Sequence, residues 1–74
     1  MSLFPKDVID LATDILSACH KRGLMIVTAE SCTGGLIAAA LTEIAGSSDV
    51  VDRGFVTYSN DAKTAMLGVK AETL

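Results

Sequence analysis

The feature that most limits what this chain can fold into is the run "LMIVTA", Leu24 to Ala29. It is short and apolar throughout, with no alternation of wet and dry positions. Such a run suits a strand buried on both faces, as in parallel sheets covered by helices. The flanking sequence supplies the helices. Val8, Leu11, Ala12, Ile15, Leu16 and Cys19 recur at helical spacing, and Asp7, Asp10 and Asp14 mark the opposite face. Pro5 suits the first turn of this helix, and Lys21, Arg22 and Gly23 read as a cationic last turn with a left-handed cap. Beyond the run, Leu36, Ile37, Ala40, Leu41 and Ile44 form a second apolar stripe that ends at Gly46, and Ser47 to Asp49 make a loop. "RGFVTYS", Arg53 to Ser59, is the second strand. Asn60 is a suitable N-cap for a third helix over Asp61 to Leu67, with Ala62, Ala65 and Met66 on its buried side and Gly68 as its stop. "VKAETL" then opens a further element.

The order helix, strand, helix, strand, helix predicts a right-handed crossover with parallel strands. It also leaves a deficit of sheet. The chain has 74 residues, 50% of them hydrophobic, with a mean hydropathy of +0.47. A chain this short has little interior in which to place so much apolar surface. Two strands cannot bury three amphipathic helices, so residues 1–74 are expected to form the front half of one larger α/β/α domain. The competing expectation is that the apolar faces meet a partner chain.

Several function classes are poorly matched. The formal net charge is −3 and the acidic residues are scattered, so the basic stripe of a nucleic-acid binder is missing. Tyr58, Phe4 and Phe55 are too few and too dispersed for a base-stacking platform. Cys19 and Cys32 match no zinc or redox spacing, and with a single histidine, His20, no metal site is expected. His20 reads as an exposed partner of the helix dipole. No apolar stretch approaches the ~20 residues of a membrane span, so a cytoplasmic protein with no membrane partner is expected.

The chemistry gathers in "TAESCTGG", residues 28–35, where the apolar run gives way to a carboxylate, hydroxyls, a thiol and two glycines. Ligands of open α/β sheets bind beyond the carboxyl ends of the strands, which is where Glu30 to Gly35 are expected. Thr33 or Ser31 can cap the following helix, and Gly34 and Gly35 let a ligand approach backbone N–H groups, favouring a phosphate, a carboxylate or a developing oxyanion. Read alone, the stretch favours a plain capped helix with a glycine turn. It has neither the Walker spacing nor the GxSxG elbow. The second strand ends in "TYSNDAK", so Tyr58, Ser59 and Lys63 are expected to face the same crevice as Ser31. A serine beside a partly desolvated lysine can replace the serine–histidine pair of hydrolases.

The stretch "TAESCTGGLIAAALTEIAGSSDVVDRGFVTYSNDAKTAMLGV" resembles the CinA C-terminal domain family, whose active members are nicotinamide-mononucleotide amidohydrolases. The resemblance covers residues 8–74, and its signature blocks are "AESCTGG", "AGSSDVVDRGFVTYSN" and Lys63 followed by "LGV". It implies a three-layer α/β/α sandwich with a mixed sheet, of which this chain supplies about two strands and three helices, in a domain roughly twice as long. It also implies hydrolysis of the nicotinamide amide of the mononucleotide to the acid and ammonia, with no cofactor and no metal. Carried over residue by residue, Ser31 matches the family nucleophile, and Lys63 and Tyr58 match the positions that activate it and handle protons. Glu30, Thr33, Gly34 and Gly35 fall in the loop lining the substrate, and Ser48, before the second strand, is a further substrate contact. The resemblance leaves open whether Lys63 or Tyr58 is the base, and whether the glycine amides hold the phosphate or the oxyanion. Cys32, a stronger intrinsic nucleophile than Ser31, projects differently and is expected to be a packing residue. The implied partner is a pyridine mononucleotide, and exposed apolar surface separately leads us to expect a homo-oligomer; a noncatalytic nucleotide-binding or regulatory module, or an inactive fragment, is the alternative.

Overall fold

A computed structural model describes residues 2–74. Three helices and two strands follow in the order α1 (Lys6–Lys21), β1 (Ile26–Ser31), α2 (Leu36–Thr42), β2 (Val51–Thr57) and α3 (Asn60–Leu67), with 3₁₀ turns at Ser47–Asp49 and Ala71–Thr73. The chain has an α/β fold. The two strands pair in parallel, with Thr28 beside Gly54, Ala29 beside Phe55, Glu30 beside Val56 and Ser31 beside Thr57; a register shift falls between Ile26 and Val27.

Element boundaries follow local hydrogen bonding. Pro5 stands just outside α1 as its N-cap rather than in its first turn, and its carbonyl accepts from Val8 and Ile9 at 3.1 Å each. At the other end Gly23 takes φ +66° and the Leu24 N–H turns back to the Cys19 carbonyl at 2.9 Å. That bond ties Leu24 to the helix end, so the first strand starts at Ile26, two residues later than the apolar run suggests, and extends through Glu30 and Ser31. The second strand, by contrast, starts earlier than expected, at Val51, where Ile26 N–H bonds to the Val50 carbonyl at 2.8 Å. Helix α2 stops short of Ile44. The Thr42 hydroxyl bonds the carbonyls of Ala38 and Ala39 and thereby competes for helical acceptors.

Helices α1 and α2 pack together, and α2 lies on both strands. The core there consists of Ala12, Leu16, Leu41 and Val50, flanked by Cys19, Ile26, Ile44 and Val51. Gly54 is needed for this closeness: a Cβ there would stand 2.5 Å from Thr28 Oγ1 and 3.4 Å from Ala38 Cβ. Thr28 and Glu30 are buried on the side that meets α2, whereas Val27, Ala29 and Ser31 alternate to the other side and are exposed. The first strand is therefore covered on one face within this chain, not on both as its composition predicts. Leu11, Ile15, Leu36 and Ile37 line an apolar groove between α1 and α2 and remain exposed. Helix α3 packs against β2 but buries none of its side chains fully; Ala62 is half-buried, while Ala65 and Met66 are exposed, contrary to the expected buried stripe. No helix among the described residues is long and apolar enough to cross a membrane.

Candidate active site at the carboxyl edge of the sheet

Parallel pairing sends both strands out at the same edge. Ser31 closes β1 directly beside Thr57, which closes β2, at the usual strand spacing of about 4.8 Å. Tyr58 is the next residue after Thr57 and is 76% exposed. Ser31 is exposed as well. Helix α3 begins at the same edge, because the Ser59 hydroxyl accepts from Ala62 N–H at 3.0 Å. Ser59 is thus the N-cap, and Asn60, the expected cap, is the first helical residue. Lys63 follows in the first turn, half-buried, with its N–H bonded to the Ser59 carbonyl at 3.1 Å. Ser31, Tyr58 and Lys63 accordingly belong to one edge of the sheet, placed there by pairing and by an immediate strand-to-helix turn.

The turn between β1 and α2 is tight. Cys32 has φ +71°, in the left-handed region that a side chain raises in energy, and it is the one non-glycine residue of this kind among the described residues. Gly34 and Gly35 also take positive φ, +66° and +92°. Gly35 is doubly constrained, since a Cβ there would also lie 3.3 Å from Val56 Cγ2. Cys32 is exposed, and its Sγ stands 3.5 Å from Ser31 Oγ. Within this chain Cys32 is therefore exposed beside Ser31 and not packed, in contrast to the expectation of a packing residue.

Glu30 has a different place from the one expected. It is 3% exposed, and both carboxylate oxygens are engaged within the chain. Oε1 accepts from the Thr33 hydroxyl at 2.9 Å and from Ile37 N–H at 2.7 Å, and Oε2 accepts from Ala38 N–H at 3.0 Å. Burial pushes this carboxyl's pKa up, but the two backbone N–H donors and the Thr33 hydroxyl outweigh it and hold the group below the usual carboxylate value. Helix α2 has no side-chain cap from its own flanking residues; Gly35 stands at the N-cap position. Thr33 and Ser31, the caps that the sequence suggests, do not fill that role. Glu30 does so from the adjacent strand, and Thr33 serves as its donor. With both oxygens already bonded within the chain, Glu30 acts as an internal brace.

Ser48 is also separated from the site. It lies in the 3₁₀ turn before β2, at the amino edge of the sheet. The length of β2, about 20 Å for a strand of this size, stands between it and the Ser31 edge. Within this chain it does not join Ser31, Tyr58 and Lys63. Thr57, which sequence reading passed over, ties the two strand ends together. It is 2% exposed and donates to the Glu30 carbonyl at 3.0 Å. Its β-branched shape at a strand end was the available signal.

This arrangement sets the Ser31 hydroxyl at the same sheet edge as Tyr58, the start of the Lys63 helix and the backbone N–H groups of Thr33, Gly34 and Gly35. Those are the parts that acyl transfer requires. Among the described residues no three His, Cys, Asp or Glu side chains cluster as metal ligands.

Residues 8–74 match the CinA C-terminal domain. The nicotinamide-nucleotide amidohydrolase PncC of Escherichia coli K12 is 52% identical over 68 residues, covering 92% of this chain and 41% of that protein. The protein of the same name from Enterobacter agglomerans is 57% identical over 65 residues, covering 88% of this chain and 40% of its own length. A crystal structure of the competence/damage inducible protein CihA from Agrobacterium tumefaciens superposes with a TM-score of 0.96 at 70% identity, covering 100% of this chain and 45% of that one. The chain thus spans less than half the length of these relatives.

Proposed function

The chain belongs to the CinA C-terminal domain family, and from that premise we propose that its Ser31 edge is the reaction centre of a nicotinamide-mononucleotide amidohydrolase that releases nicotinic acid mononucleotide and ammonia. The observation that carries this reading is the register of Ser31 beside Thr57, because it puts a serine next to Tyr58 and to the start of the Lys63 helix. The names of the relatives from Escherichia coli and Enterobacter agglomerans support the same substrate.

In this reading Ser31 Oγ attacks the amide carbon and its proton passes to Lys63 or Tyr58. Backbone N–H groups of the Thr33–Gly35 turn stabilise the oxyanion or hold the 5′-phosphate. The protonated group then delivers the proton to the departing ammonia. Water attacks the resulting ester, the same group takes the proton of that water, and Ser31 regains its hydrogen as the acid leaves. A lysine must be neutral to accept the Ser31 proton, whereas a phosphate is held by the charged form. Thr33 contributes indirectly, by holding Glu30.

We further propose that residues 1–74 form the amino-terminal half of one three-layer domain with a mixed sheet, acting in the cytoplasm in recycling of pyridine nucleotides. The exposed Leu11, Ile15, Val27, Leu36 and Ile37 support it, as does coverage of 40–45% of the relatives' length. Assembly into a homo-oligomer through apolar surface belongs to the same proposal.

The test is ammonia release from nicotinamide mononucleotide by the full-length protein. Ser31→Ala is expected to lower turnover by orders of magnitude with binding largely kept, and Cys32→Ala by less than tenfold. Activity that survives in the Ser31 variant and disappears in the Cys32 variant would transfer the nucleophile's role to the exposed thiol. Nucleotide binding with no ammonia release by the unaltered protein would favour a noncatalytic module.

A further inference from the structure

We propose that Glu30 is a positioning residue for the amide-cleaving centre: its buried carboxylate folds the Ser31–Gly35 turn back onto the start of α2 and so sets the geometry of Ser31 and of the turn's backbone N–H groups. The inference rests on the reading of the Ser31 edge as an amidohydrolase site.

Three donors converge on one carboxylate: the Thr33 hydroxyl at 2.9 Å from within the turn, and the N–H groups of Ile37 and Ala38 at 2.7 and 3.0 Å from the helix that follows. Glu30 immediately precedes Ser31, so a brace on Glu30 is a brace on the nucleophile's own backbone. The Thr57 hydroxyl completes the hold by bonding the Glu30 carbonyl at 3.0 Å. The turn needs such a hold because it carries Cys32 at φ +71°, which the local sequence alone does not favour. Hydrogen bonds to an ionised acceptor are about twice as strong as neutral ones, so a carboxylate holds the turn better than an amide would. Glutamine at position 30 keeps the shape but turns one acceptor oxygen into a donor facing a donor. Displacement of reacting groups by about 1 Å lowers rates by about 100-fold.

The experiment compares Glu30→Gln with the unaltered full-length protein by backbone hydrogen exchange and by steady-state kinetics. Exchange at Ile37 and Ala38, whose N–H groups bond the carboxylate, is expected to rise by about tenfold or more, with exchange at Ala12 and Leu16 in α1 changed less than twofold. Turnover is expected to fall by 10- to 100-fold while KM changes less than threefold. An equal rise of exchange in α1, or none at Ile37 and Ala38, would overturn the assignment, and so would turnover within twofold of the unaltered protein. If that protein releases no ammonia at all, the amidohydrolase reading falls, and exchange alone decides whether Glu30 holds the turn: a local rise sustains it and unchanged exchange at Ile37 and Ala38 ends it.

Discussion

The hydroxyl of Thr57 donates to the carbonyl oxygen of Glu30 at 3.0 Å, from a side chain that is 2% exposed. The bond joins the last residue of the second strand to the residue before Ser31. It therefore holds the two strand ends level where Ser31, Tyr58 and the Lys63 helix emerge. Thr57→Val keeps the shape and removes the donor. The expected loss is about 1 kcal/mol, the usual net worth of such a bond. Urea denaturation measures it, and Thr57→Ser, which keeps the hydroxyl, should recover part of the loss. Equal stability of the valine and threonine forms would show that the ladder alone keeps the ends together.

Gly54 makes a second prediction through packing. An added methyl there clashes with Thr28 Oγ1 at 2.5 Å while only touching Ala38 Cβ at 3.4 Å, so the Thr28 side chain or its strand must shift. Gly54→Ala is expected to destabilise by about 1–3 kcal/mol, typical of overpacking. Thr28 Oγ1 is buried without a hydrogen-bond partner. Truncating it in Thr28→Ala removes the obstacle, so the double variant should be more stable than the sum of the two single changes implies. Strict additivity would place the strain elsewhere.

Acid should act on the Glu30 brace. Its carboxyl is held below the ordinary value of 4.5 when the chain is folded. The unfolded chain then takes up a proton first as pH falls. The brace's contribution is complete above the unfolded value and declines as pH drops through the lower, folded one. Thermal melts below about pH 4.5 should show a decline that Glu30→Gln lacks. A decline of the same size in both proteins would assign acid sensitivity to other carboxylates.

Lys63 is tested by substitution with arginine. Guanidinium stays charged and cannot take the Ser31 proton. If Lys63 is the base, Lys63→Arg and Lys63→Ala should lower turnover of nicotinamide mononucleotide similarly. If it holds the 5′-phosphate, arginine should restore much of the activity and alanine should mainly raise KM. Near-normal turnover in the arginine variant would leave Tyr58 as the proton acceptor.

The element order was legible in the sequence because it depends on local rules. The helical spacing of Ala12, Leu16 and Cys19 and the left-handed stop at Gly23 are written in consecutive residues, and the apolar run before Glu30 reads as a strand. The grouping of Ser31 with Tyr58 and Lys63 was also within reach, since parallel pairing brings strand ends to one edge. What needed the tertiary structure depends on contacts across sequence or on backbone torsions. Glu30 caps a helix from a neighbouring strand, seven and eight residues before its backbone donors, and no local capping pattern announces it. Cys32 takes a positive φ and is exposed. Ser48 falls at the amino end of β2, opposite the Ser31 edge, because strand direction, not proximity in sequence, decides which residues share an edge. A strand that reads as buried on both faces is covered on only one here, because burial depends on which elements are present to cover it, and hydropathy records only which surfaces favour being covered.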